Sequence, residues 1–90
     1  MRIARRYLIT GRVQGVGFRY FTQRIAVQHD ISGWVRNTPD GRVEVEAEGD
    51  ADAMHQFERQ LSNGPAGAHV DQVSTTDVAV GPVHSGFSIR

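Results

Sequence analysis

Arg42-Val43-Glu44-Val45-Glu46-Ala47-Glu48 alternates apolar and acidic residues without a break. That period of two belongs to a β-strand with one face buried and the other solvated, so the acidic row Glu44, Glu46 and Glu48 is expected in solvent. Just upstream, Thr38-Pro39-Asp40-Gly41 has the composition of a turn, and Ile31-Ser32-Gly33-Trp34-Val35-Arg36 before it reads as a second strand. Downstream, Gly49-Asp50 supplies a helix N-cap. Met54, Phe57 and Leu61 mark the buried stripe of the helix that follows, and Asn63-Gly64-Pro65 closes it.

The pattern repeats on the N-terminal side. Tyr7-Leu8-Ile9-Thr10 is a β-prone run that can extend toward Val13. After the loop Gln14-Gly15-Val16-Gly17, the residues Phe18, Phe21, Ile25 and Ala26 fall at helical spacing, with Asp30 ending that helix. Residues 70–80 contain another strand, and Phe87-Ser88-Ile89 forms a short last one. The predicted fold is α+β: a ferredoxin-like sandwich of βαββαβ order plus the short C-terminal strand. It has an antiparallel sheet with two helices on one face, in a single domain spanning residues 1–90.

Composition narrows the function. Ten arginines and no lysine balance ten Asp/Glu, so the net charge is zero, against the basic excess of most nucleic-acid binders. Seven of the arginines nevertheless lie within the first 36 residues, giving that third of the chain a local attraction for small anions. The absence of cysteine removes disulfides, a thiol nucleophile and thiolate metal ligands. No apolar run is long enough to span a membrane, so a cytoplasmic protein is the expectation.

The segment Gln14-Gly15-Val16-Gly17-Phe18-Arg19 joins a strand to a helix. The first N–H groups of a helix lack internal partners and sit at the positive end of its dipole. Two glycines let such a loop curl until several N–H groups converge on one anion, and Arg19 adds a forked pair of donors. The segment matches neither the P-loop nor the dinucleotide fingerprint. On spacing alone it could equally be a tight turn with Arg19 solvated. Asn37 follows the second strand. With the first two strands parallel and separated by the third, their carboxyl ends share one sheet edge roughly 9–10 Å apart. Asn37 can therefore face the loop, although an Asn that caps a hairpin turn is the commoner role.

Gly11-Arg12-Val13-Gln14-Gly15-Val16-Gly17-Phe18-Arg19 resembles the first signature of the acylphosphatase family. Gly33-Trp34-Val35-Arg36-Asn37, continued through Gly41, Val43 and Gly49, resembles the second, and Gly64-Pro65-Ala66-Gly67-Ala68 with Val70 and Phe87-Ser88-Ile89-Arg90 resembles later segments. The resemblance implies hydrolysis of the carboxyl–phosphate bond of acyl phosphates, with inorganic phosphate as product and competitor. It implies that Arg19 binds the phosphate, that the backbone from Gln14 to Phe18 cradles it, and that Asn37 orients the attacking water. No metal and no cofactor is expected, nor a nucleic-acid or membrane partner, and a monomer is the simplest state. One departure is His29-Asp30, where the family often has Leu-Gly. A Gly suits the left-handed conformation at a helix end, and Asp there should cost about 1 kcal/mol.

Other residues are set aside. His29, His55, His69 and His84 have no metal-ligand spacing. Trp34 and Tyr7 are expected to pack in the core or at an edge rather than form a ligand shelf. Tyr20 is a weaker candidate for the pocket mouth. Two rival functions remain. A nucleic-acid module would use aromatics on the open sheet face, where the three glutamates instead repel phosphates. The other rival is an acylphosphatase-like module that binds carbamoyl phosphate within a larger assembly.

Overall fold

The computed structural model describes residues 1–81 and 86–90; His84 lies outside them. Seven elements follow one another: β1 (Arg2–Arg12), α1 (Phe18–Gln28), β2 (Ser32–Asn37), β3 (Val43–Asp50), α2 (Ala51–Asn63), β4 (His69–Val78) and β5 (Phe87–Ile89). The five strands form one sheet in the order β4-β1-β3-β2-β5. Helix α1 lies over β2 and β5, and α2 lies over β1, β3 and β4, with the helices touching each other.

The alternation in β3 sets the core. Val43 pairs with Ile9, Val45 with both Tyr7 and Val35, and all five are fully buried. Phe18, Ile25, Met54, Phe57 and Leu61 close over them from the helices, each buried side chain of this kind contributing about 1.5–3 kcal/mol. Tyr7 belongs to this core. Its ring meets Phe57 at 6.0 Å, and its hydroxyl donates to Glu58 at 2.9 Å. Burial, and then the neighbouring Glu58 carboxylate, push the phenol well above its ordinary pKa.

Three expectations are corrected. The sheet is mixed, not antiparallel, because β5 adds in parallel beside β2, with Gly33 opposite Phe87 and Val35 opposite Ile89. Three residues of β5 thereby cover an edge that β2 would otherwise expose. The first strand is also longer than its apolar run. Arg2, Arg5 and Arg6 extend it, because strands on both sides pair with it and cross-strand carboxylates neutralise its charges. Finally, the acidic face of β3 is not simply solvated. Glu48 is 7% exposed; it accepts from Arg2 Nε at 2.9 Å and from the Gly81 N–H at 3.0 Å. Glu46 takes Arg6 at 3.1 Å, and Glu44 takes Arg36 at 2.5 Å. The helix-free face is a lattice of alternating charge.

The end of α1 shows why Asp30 stands out. The Ile31 N–H donates to the Ala26 carbonyl at 2.8 Å and the Asp30 N–H to the Val27 carbonyl at 3.2 Å, the paired bonds of a Schellman motif. The motif needs a left-handed residue between them, and Asp30 takes it with φ 57°.

Candidate active site

Strands β1 and β2 both run antiparallel to β3, so their carboxyl ends emerge at the same edge of the sheet. From the first emerges the loop that enters α1. From the second emerges Asn37, opposite Val43 in register. Gly15 and Gly17 hold φ values of 74° and 79°. A Cβ at either position would meet no atom within 4 Å, so it is conformation and not crowding that calls for glycine. Gly17 is the N-cap of α1, with no side chain capping it and no acidic residue in the first turn. The leading N–H groups of α1 thus lie at a positive helix end with neither a capping side chain nor a first-turn carboxylate to receive them.

Gly15, Gly17, Phe18, Arg19 and Asn37 line one cavity of about 170 Å³ together with Val13 and Tyr20. Five of the seven site residues expected from the sequence therefore converge. Gln14 and Val16 are not among its walls. Val16 packs against the core. The Gln14 carboxamide donates to the carbonyl oxygens of Thr38 and Arg42, at 2.8 Å each. One side chain thereby ties the loop to the turn that follows Asn37. Nothing in the local pattern announces this bond, which spans 24 and 28 residues.

That turn is itself fixed from within. The Thr38 N–H donates to the Arg42 carbonyl at 2.8 Å, and the Arg42 N–H donates to Thr38 Oγ1 at 3.0 Å. Asp40 accepts from Thr38 and from Arg42, and the Arg42 guanidinium, followed by the Thr38 hydroxyl, lowers its carboxyl to a pKa of about 2.

The charges differ in their commitments. Arg2, Arg5, Arg6, Arg36 and Arg42 each pair with a carboxylate. Among the described residues, no Asp or Glu side chain pairs with Arg19. Its Nη1 donates instead to the backbone oxygen of Arg90 at 3.2 Å. Arg90 is held in turn by its N–H on the Val35 carbonyl at 2.8 Å and by its guanidinium over the Trp34 ring at 4.4 Å. This support for Arg19 comes from the far end of the chain and could not be read locally. The Asn37 amide makes no hydrogen bond to the protein among the described residues. Chemically, the cavity offers a guanidinium that no described Asp or Glu side chain neutralises, N–H groups at a helix start and an uncommitted amide, which are suited to a small tetrahedral anion and one water. Among the described residues, no group of three or more His, Cys, Asp or Glu is arranged to hold a metal.

Known proteins share this arrangement of elements. A family model described as Acylphosphatase matches residues 5–89. An acylphosphatase of Koribacter versatilis is 53% identical over 75 residues, which cover 83% of this chain and 68% of the relative. The crystal structure of the acylphosphatase from Bacillus subtilis matches with a TM-score of 0.94 at 42% identity, covering 100% of this chain and 99% of that one. Full-length HypF, solved in its phosphate- and nucleotide-bound form, contains a similar region. It matches with a TM-score of 0.91 at 32% identity, over 100% of this chain and 12% of HypF.

Proposed function

This chain belongs to the acylphosphatase family, and we propose how its residues carry out that hydrolysis. The reaction takes an acyl phosphate and water to a carboxylate and inorganic phosphate. Arg19 and the backbone N–H groups between Gln14 and Phe18 hold the phosphoryl oxygens, and the Asn37 amide holds the attacking water. The observation that carries this assignment is the shared cavity: Arg19 and Asn37, 18 positions apart in sequence, line the same small space with the glycine loop.

The sparse chemistry suits the substrate. The leaving group is a carboxylate whose conjugate acid has a pKa of about 4, so it departs unprotonated at neutral pH. Phosphoryl transfer through a loose transition state asks mainly for alignment and for donors on the equatorial oxygens. An amide cannot accept the proton of the attacking water, and that proton passes to a phosphate oxygen. An alkyl phosphate ester has a poor leaving group and would stall in the same seat. Chelator-treated protein should therefore hydrolyse acetyl phosphate, with inorganic phosphate competing, and leave a sugar phosphate untouched. Comparable turnover of the two overturns the mechanism. The reading includes a monomeric, metal-independent, cytoplasmic enzyme.

A second reading, in which the seat serves a larger assembly, draws support from the likeness to HypF. The near-complete mutual coverage with the Bacillus subtilis enzyme favours the first.

A further inference from the structure

We propose that Tyr20 sorts acyl phosphates by the group they carry, favouring a flat aromatic acyl group over a methyl. The inference rests on the phosphate seat described above and begins from its size. At about 30 Å³ per water, a cavity of about 170 Å³ takes five or six water-sized bodies. A phosphoryl group and its attacking water occupy most of that space. The acyl group must then project through the mouth.

Tyr20 is what it meets there. It lines the cavity while remaining 74% exposed, and among the described residues it is the one aromatic left so open. The fold makes no use of it. Its ring has no aromatic partner and its hydroxyl no hydrogen bond among the described residues, whereas the other tyrosine, Tyr7, is fully buried and bonded to Glu58. Its position explains its reach. It is the third residue of α1, and helical side chains lean toward the helix N-terminus, covering the turn before their own Cα. The ring therefore leans over the end of α1 where the phosphate sits. A planar acyl group leaving the seat can stack on it or meet its edge, whereas a methyl offers little surface. One aromatic contact is worth about a two- to ten-fold preference.

The test compares kcat/KM for benzoyl phosphate and acetyl phosphate in the wild type, Tyr20→Ala and Tyr20→Phe, with the Ki of inorganic phosphate measured in each. The benzoyl-to-acetyl ratio should fall about two- to ten-fold in Tyr20→Ala and hold in Tyr20→Phe. The Ki of inorganic phosphate, which has no acyl group, should be the same in all three proteins. An unchanged ratio in Tyr20→Ala overturns the inference while leaving the seat standing. A fallen ratio with a matching rise in Ki also overturns it, because Tyr20 then shapes the seat itself. If the wild type hydrolyses neither compound, the seat and the inference fall together.

Discussion

At the start of α2 the chain supplies its own negative charge. Asp50 caps the helix and accepts the Asp52 N–H at 3.3 Å, and Asp52 adds a second carboxylate in the first turn. At the start of α1 it supplies none: the cap is a left-handed glycine, and the first turn carries Arg19 instead of an acid. Both helices face the same physics, a set of outward N–H groups at a positive dipole end. The first helix leaves that potential open and strengthens it with a cation; the second cancels it. The two helix starts are thus told apart by where the protein places its own carboxylates, and the proposed anion seat lies at the one that has none in its cap or first turn.

The largest expected break in this contrast is removal of the cation. Arg19→Ala should lower kcat/KM by on the order of 10³-fold or more, as for arginines that stabilise phosphoryl transition states. Asn37→Ala should cost about 10²- to 10³-fold. Steady-state kinetics on acetyl phosphate, with folding checked by circular dichroism, decides both. More than a tenth of activity remaining in folded Arg19→Ala would sink the assignment.

Making α1 begin as α2 does gives a smaller effect of mixed sign. Tyr20→Glu places a carboxylate in the first turn, where the helix dipole favours it by about 0.3–1 kcal/mol. The same charge beside a cavity anion opposes it, by about 2 kcal/mol for a separation of about 8 Å at an effective dielectric near 20. The variant should unfold at a higher temperature while the Ki of inorganic phosphate rises ten-fold or more. A Ki that stays put would mean that the anion does not sit at this helix end.

Breaking the α2 device should touch stability and spare catalysis. Asp50 also accepts from the N-terminal ammonium at 3.3 Å; that group, and then the Asp52 N–H, hold its carboxyl below its ordinary value of 3.8. A native carboxyl lowered in this way stabilises the fold above the unfolded-chain value and loses that contribution as pH falls through the native one. Asp50→Ala should lower Tm by a few degrees at pH 7 with unaltered kcat/KM. The gap from wild type should close as the melts are taken below pH 4.

The smallest effect lies at the opposite end of α1. Asp30→Gly relieves a left-handed non-glycine residue and should add about 0.5–1 kcal/mol, read as a rise in Tm of roughly 2–8 °C for a domain of this size. No change would mean that Asp30 repays its strain elsewhere.

Much of this was legible because it is local. The period of two in β3, the apolar stripes of both helices and the Asp50 cap are each stated by residues within a few positions of one another, and sterics and solvation act there at short range. The glycine loop beside Arg19 belongs to the same class. Misreadings came where a distant segment changed a residue's environment. Arg2, Arg5 and Arg6 look like poor strand residues until the glutamates and Asp77 on neighbouring strands meet them. Glu48 looks solvated until Arg2 and the Gly81 N–H reach it.

By itself, then, the sequence determined which segments are strands and helices, and that a glycine loop with Arg19 beside it leads into α1. Only the tertiary structure decided that Arg19 and Asn37 share one cavity, that Gln14 ties the loop to the turn at 38–42, and that Arg90 supports the guanidinium. Propensity and periodicity act over a few residues, whereas these contacts span between 18 and 71 positions along the chain. They come into being when the sheet fixes strand order and register.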